Sequence, residues 1–328
     1  MKGKQGMVCM GLLLVLSSCH TGKQITASGL QRKDFQTEVN GQHTDLFTLS
    51  NKQGMEVCIT NYGARVVSIL VPDRNGKRED VVCGFSTITE YMEQRQNFGS
   101  TVGRYIGRIL NARFTLDGVE YKLVPNNGKS GHISHGGNPG FADRIWKVEQ
   151  ADTHRVRLSY LSPDGENGFP GNLKVTLVYS LGEDDNALDL TYEATTDAPT
   201  VLNLSHHSFF NISGNFTKSV EDQQLWVDAD RFTPYDDKKC VTGEYLQVAG
   251  TPLDFRMPHA IGECIDADHP QLKVVNGYDH TWELNTKGDD TRPAAWVYDP
   301  ASGRKMEIFT TEPGMQIYTG NGLKGKMT

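Results

Sequence analysis

An all-β, mostly antiparallel fold is predicted by three observations. Runs of about four to nine β-branched, aromatic and aliphatic residues recur between turn signals along almost the whole chain. The dipeptide Asp117-Gly118 joins two such runs, and a type I′ hairpin needs that chemistry because both central residues take positive φ. Apolar residues at helical spacing are nearly absent.

In chain order the predicted strands are Val57–Thr60, Arg65–Val71, Asp80–Val82, Arg113–Leu116, Val119–Val124, Trp146–Glu149, Val156–Tyr160, Leu173–Leu181 and Ala187–Ala194. Gln224–Val227, Tyr278–Leu284, Ala294–Tyr298, Lys305–Thr310 and Met315–Tyr318 follow. Pro72-Asp73-Arg74-Asn75-Gly76 and the segment 182–186 read as turns between strands. No fixed-period repeat and no Pro/Ser-rich linker divides the chain, so one large sandwich is expected over residues 34–328.

The 328 residues include 34 Gly and 13 Pro, which suits many short strands and turns. A net charge of −7 with no Lys/Arg run argues against a nucleic-acid partner, which needs a basic face. At 22% charged and 37% hydrophobic residues, the composition is that of a folded domain.

The amino terminus has the parts of a secretory leader: Met1-Lys2-Gly3-Lys4, an apolar stretch from Met7 to Leu16, then Ser17-Ser18-Cys19. The apolar stretch is too short to span a bilayer. Leu16-Ser17-Ser18-Cys19 resembles the bacterial lipobox, which implies a signal peptide over 1–18, a lipid on Cys19, and a protein anchored in the bacterial cell envelope facing the periplasm. Residues 20–33 are polar and are expected to form a flexible tether. Cys58 and Cys83 sit inside apolar strand patterns and are expected to be buried thiols, while the pairing of these and of Cys240 and Cys264 is open.

Three polar loops are candidates for chemistry. In Gly103-Arg104-Tyr105-Ile106-Gly107-Arg108-Ile109, one arginine can be buried and the other turned into a cleft. Gly131-His132-Ile133-Ser134-His135-Gly136-Gly137 has a glycine pair that admits close approach of backbone. In Asn203-Leu204-Ser205-His206-His207-Ser208-Phe209-Phe210-Asn211, strand alternation places His206 and His207 on opposite faces, so one faces a site and the other is structural. His132, His154, His206 and His259 read as structural or surface residues, His135 and His207 as site residues. A zinc cluster from His132, His135, His206 and His207 lacks an acidic ligand at suitable spacing. Asp228-x-Asp230 and Asp266-x-Asp268 resemble a calcium loop only loosely, so a bound Ca²⁺ is a minor expectation and no metal is assigned.

Asp164-Gly165-Glu166-Asn167-Gly168-Phe169-Pro170-Gly171-Asn172-Leu173 resembles the signature of the aldose 1-epimerase (galactose mutarotase) family. Gly103–Ile109, His135-Gly136-Gly137, His207–Asn211, Thr251-Pro252-Leu253-Asp254-Phe255-Arg256, Gly277-Tyr278-Asp279-His280 and Thr310–Asn321 are similar to further family blocks, in order. The resemblance implies a galactose-mutarotase-like β-supersandwich that interconverts the α and β anomers of free aldohexoses such as glucose and galactose. That reaction is acid–base ring opening, for which no cofactor is required. The resemblance further implies His207 as general acid and His135 as the assisting histidine near the ring oxygen. It implies Arg108 and Asp254 as hydroxyl binders, the backbone at Ser208 and Phe209 as pocket lining, and a monomer.

This chain departs from the family pattern at Gly107 and His206, where Asn is usual, and at Phe209, where Tyr is usual. The resemblance also implies a general-base glutamate on a later strand, and the sequence ends at Thr328 with no residue matching it. The expectation is therefore a chain lacking the family's last strands, with a catalytically impaired, sugar-binding homologue as the alternative. A glycoside hydrolase accessory domain would instead need a carboxylate pair, for which Asp254 and Glu166 are the candidates.

Overall fold

The computed structural model describes residues 24–323. Cys19, the leader and residues 20–23 lie outside the described residues. Besides a two-residue pair, Glu38–Val39 with Gln42–His43, the strands are β1 (Leu46–Ser50), β2 (Glu56–Thr60), β3 (Arg65–Pro72), β4 (Arg78–Asp80), β5 (Thr101–Val102), β6 (Arg108–Ile109), β7 (Arg113–Leu116), β8 (Val119–Lys122) and β9 (Ile133–Ser134). They continue as β10 (Lys147–Ala151), β11 (Arg155–Ser162), β12 (Leu173–Leu181), β13 (Leu188–Thr196), β14 (Ser205–His206), β15 (Gln224–Val227), β16 (Arg231–Thr233), β17 (Leu246–Gln247) and β18 (His259–Ala260). The last are β19 (Asp279–Glu283), β20 (Ala295–Tyr298), β21 (Lys305–Ile308) and β22 (Gly314–Tyr318).

Four antiparallel four-stranded sheets carry the body, in the orders β1-β2-β3-β4, β10-β11-β12-β13, β18-β15-β20-β21 and β17-β16-β19-β22. The first two share one core, built from inward residues such as Val57, Ile59, Val66, Trp146, Leu158, Val175, Leu177 and Tyr179. The other two share a second core around Leu225, Phe232, Phe255, Tyr278 and Trp282. Burying a side chain of Leu, Val or Phe size is worth about 1.5–3 kcal/mol, so these faces hold the sheets together. The predicted hairpin at Asp117-Gly118 forms, with Leu116 opposite Val119 and positive φ at both turn residues. Cys58 and Cys83 are buried free thiols, and burial pushes Cys58 to about 12 and Cys83 to about 11.

Two short helices accompany the strands, and one expectation is corrected here. α1 (Ile88–Gln94) starts at Thr87, an N-cap whose hydroxyl accepts the Glu90 N–H at 3.3 Å and donates to the Glu90 carboxylate at 2.9 Å. α2 (Pro270–Val275) starts on a proline. The tether over 20–33 is not a tether where it is described. Thr26 is buried, Ile25 bridges to Gln31, and Ala27 and Ser28 donate their N–H groups to the buried Glu56 carboxylate at 2.7 and 3.3 Å. Arg32 grips Asp45 through Nε and Nη2. A buried carboxylate needs donors, and these backbone N–H groups supply them. No helix among the described residues is long and apolar enough to cross a membrane.

Candidate active site

Two loops and one strand bring the site together. His207 is fixed by its backbone, donating to the Ser100 carbonyl at 2.8 Å and accepting from the Gly99 N–H at 3.0 Å. Gly99 is required there: its φ is +64° and an added Cβ would stand 1.8 Å from the Val66 carbonyl oxygen. His135 is fixed against the arginine loop, donating its N–H to the Gly107 carbonyl at 2.9 Å. Gly136 admits this packing, because a Cβ on it would stand 1.8 Å from the Gly103 carbonyl oxygen.

The two imidazoles meet edge to face with ring centroids 5.2 Å apart. The Gly107 N–H donates to His135 Nδ1 at 3.3 Å, which leaves the proton of the neutral ring on Nε2. Burial, with smaller contributions from His207 and Arg108, holds His135 at about 3, so this ring is neutral and acts as an Nε2–H donor. His207 is also lowered by burial. Phe209 walls the site, with its ring centroid 5.2 Å from that of His207 and 5.7 Å from that of Tyr318.

The arginine loop divides as its sequence suggests. Arg104 is buried, and its guanidinium donates to the hydroxyl and carbonyl of Ser162 and to the carbonyls of Pro163, Pro170 and Gly171. Arg108 is half-buried, donates to the Lys239 carbonyl at 3.1 Å, and its charge bears on His135, Tyr235 and Asp279.

Asp279 is the site residue that sequence reasoning missed. It lies at the start of β19, opposite Tyr318 on β22. Its Oδ1 accepts from Gln316 Nε2 at 2.6 Å, and the same amide donates to the Tyr235 hydroxyl at 3.3 Å. Burial raises its pKa, opposed by Gln316, Arg108 and Lys239. The signal was present in Gly277-Tyr278-Asp279-His280, where alternation with the buried His280 and Trp282 turns Asp279 to the open face.

Asp254 does not join the site. Its carboxylate is held by Arg256, with Oδ1 accepting from Nε at 2.9 Å and Oδ2 from Nη2 at 2.8 Å. The neighbouring Leu253 carbonyl accepts from the indole of Trp282 at 3.0 Å, so this loop lies behind β19, on the face opposite Asp279. Ser208 contributes no hydroxyl to the imidazole pair, because its Oγ is 2.6 Å from Nε2 of His206 on the other face of the strand. His206 is the structural histidine, 6.2 Å from the Tyr179 ring and held at about 3 by burial. Asp254 and Glu166 form no carboxylate pair, since Glu166 is bound by Arg144, Tyr160 and Ser162. Asp230 and Asp268, considered for calcium, pair with Arg256 and Lys273, and Asp228 lies 3.5 Å from Arg292.

A β-sandwich with two half-buried histidines of lowered pKa beside an arginine and a carboxylate defines a proton-transfer site for a polyhydroxylated ligand. The family model of aldose 1-epimerase matches residues 45–328. A galactose mutarotase of Sus scrofa is 38% identical over 281 residues, 86% of this chain and 79% of the relative. An aldose 1-epimerase of Escherichia coli K12 is 36% identical over 286 residues, 87% of this chain and 81% of the relative. The solved galactose 1-epimerase of Lactobacillus acidophilus NCFM superposes with a TM-score of 0.77 at 30% identity, covering 87% of this chain and 81% of the other. The chain belongs to the aldose 1-epimerase family.

Proposed function

We propose that this protein is an aldose 1-epimerase that interconverts the α and β anomers of free aldohexoses, glucose and galactose among them. The observation that carries this reading is the edge-to-face pair of His135 and His207 with Arg108 and Asp279 on the same rim. Anomer exchange needs a proton delivered to the ring oxygen and one taken from the anomeric hydroxyl, so that the ring opens, the C1–C2 bond turns and the ring closes on the other face.

The chain's own groups divide this work. His207, an imidazole able to hold or release a proton, exchanges it with the ring oxygen. His135, fixed as an Nε2–H donor by Gly107, hydrogen-bonds the same oxygen as its charge grows. Arg108 and Asp279 hold adjacent hydroxyls, the fork donating and the carboxylate accepting. Phe209 and Tyr318 cover an apolar side of the sugar ring. The proton of the anomeric hydroxyl passes to water in the open cleft. Both transfers are proton transfers, so the chemistry requires no cofactor.

The test is NMR exchange or polarimetry on freshly dissolved α-glucose and α-galactose. A rate above the buffer blank is expected; a rate equal to the blank contradicts the reading.

The site reading extends to a monomer acting on free sugars without nucleic acid. The leader and the Leu-Ser-Ser-Cys motif support a lipoprotein held in the bacterial envelope through Cys19 and facing the periplasm. Cys19→Ser is expected to release the protein from membranes into the soluble envelope fraction.

A further inference from the structure

His135 stands in a backbone conformation that histidine seldom adopts. Its φ is +51°, in the left-handed region that is unfavourable for a residue with a Cβ, so the surrounding structure has to hold it there. The arginine loop supplies two contacts, from the Gly107 N–H to Nδ1 at 3.3 Å and from the His135 N–H to the Gly107 carbonyl at 2.9 Å. The chain that leaves His135 is held from elsewhere.

That chain is tied down by two consecutive residues, Glu166 and Asn167. Asn167 donates from Nδ2 to the Gly136 carbonyl at 3.0 Å and to the Pro139 carbonyl at 2.9 Å. Both N–H donors of the amide are therefore used on one loop. The amide packs against Gly137, where an added Cβ would stand 2.5 Å from the Asn167 Cγ. Glu166 fixes the far end of the same loop. Its side chain is 9% exposed, and its carboxylate accepts from Arg144 Nη2 at 2.5 Å, from the Tyr160 hydroxyl at 2.7 Å and from the Ser162 hydroxyl. The Asn167 carbonyl accepts from the Val124 N–H at 3.0 Å, and its φ of +50° is one that asparagine tolerates. Asn167 thus reaches the loop from an anchored backbone, whereas the loop itself opens with two glycines and has little rigidity of its own.

We propose that Asn167 is the positioning residue of His135: by clamping the Gly136 and Pro139 carbonyls it keeps His135 left-handed, its Nδ1 on the Gly107 N–H and its Nε2–H directed at the sugar ring oxygen. This deepens the mutarotase reading, on which the role of His135 rests. Asn167 acts through His135 and touches no substrate. Without the clamp His135 returns to an ordinary φ, the ring leaves the Gly107 N–H, and both neutral tautomers become populated.

The experiment compares the wild-type protein with Asn167→Gly, Asn167→Asp, His135→Asn and the double variant of Asn167→Gly with His135→Asn. Asn167→Gly keeps the left-handed backbone and removes the amide. Asn167→Asp keeps the shape and sets a carboxylate oxygen against the two carbonyls, and it decides the question if the glycine variant does not fold. NMR exchange of glucose anomers is expected to show kcat about 10–100-fold lower in both Asn167 variants, as for a displaced catalytic group, with KM within about twofold of the wild type. The double variant is expected to be no slower than His135→Asn alone within about twofold, because the clamp acts only through that ring. Two-bond proton–nitrogen correlation spectra of the His135 ring are expected to show the single Nε2–H tautomer in the wild type and a mixture of tautomers in the Asn167 variants. An unchanged kcat with a single tautomer in the Asn167 variants, a loss that appears in KM alone, or losses that multiply in the double variant overturns the proposal. If the wild type shows no catalysed exchange, the mutarotase reading fails by itself. The tautomer comparison then decides the clamp: a mixture in the Asn167 variants supports it, and the wild-type tautomer retained in them overturns it.

Discussion

The imidazoles of His135 and His207 stand edge to face at 5.2 Å, and the two rings are set by different means. His135 is locked through Nδ1 by the Gly107 N–H, whereas His207 is placed by its backbone bonds to Gly99 and Ser100. One ring is therefore a fixed donor and the other is free to exchange its proton. That asymmetry is the core of the proposed chemistry.

A pH dependence follows for catalysis. Burial lowers the pKa of His207 below its ordinary value of about 6.5, so the neutral ring persists to lower pH than a free imidazole would allow. His207 delivers its proton to the ring oxygen from its protonated form, so kcat/KM is expected to fall as pH rises through its pKa, with the midpoint of that limb below pH 6.5. A midpoint at or above that value contradicts the assignment of His207 as the titrating group.

The two carboxylates that compete for the hydroxyl-binding role are separated by substitution. Asp279→Asn removes a charged acceptor on the site face, and a hydrogen bond to a charged group is worth about 1.5–3 kcal/mol, so a loss of about 10–100-fold in kcat/KM for glucose is expected. Asp254→Asn, which touches only Arg256 and its loop, is expected to leave kcat/KM within about twofold of the parent. The reverse pattern restores Asp254 to the site.

Acid stability is set by the buried histidines. His135 and His206 are each held at about 3 by burial, against about 6.5 in an unfolded chain. Above pH 6.5 both states hold these rings neutral and nothing changes. Below it the unfolded chain takes up protons that the folded chain refuses, so stability falls with pH down to about 3, by up to about 1.4 kcal/mol per pH unit for each ring. Thermal melts from pH 7 to pH 4 are expected to show Tm falling, with a shallower slope in His206→Asn. An unchanged slope in that variant contradicts the buried neutral state.

Arg104 is a folding residue, not a site residue. Arg104→Met leaves the carbonyls of Ser162, Pro163, Pro170 and Gly171 without their donor in a buried turn, at a cost of at least about 3 kcal/mol. Urea unfolding checks this against Arg113→Met on an exposed hairpin, which is expected to change stability by less than about 0.5 kcal/mol. Equal shifts in the two variants contradict the role.

Much of this was legible in the sequence, for reasons that are local. Strand alternation in Leu173–Leu181 and the Asp-Gly turn at 117–118 predict the observed elements because their period and turn chemistry need no distant partner. His135 and His207 were marked by glycine and aromatic neighbours that form part of the loops fixing them. The choice between Asp254 and Asp279 was not local. Both stand in segments that resemble family blocks, and what separates them is Arg256 folding back on one and Gln316, 37 residues away, reaching the other. The packing of residues 24–33 was hidden for the same reason, since its anchor is the buried Glu56 carboxylate far along the chain. The helix at Ile88–Gln94 was missed although its N-cap threonine, Thr87, followed by Glu90 three residues on, is a sequence signal.

The central claim, that the His135 and His207 pair exchanges the proton that opens an aldohexose ring, is tested most directly by NMR exchange between the α and β anomers of glucose with the wild-type protein, His207→Asn and His135→Asn at equal concentration. The account predicts exchange above the buffer rate for the wild type, reduced about 10²–10⁴-fold in His207→Asn and strongly reduced in His135→Asn. Exchange in both variants equal to that of the wild type, or wild-type exchange no faster than buffer, contradicts it.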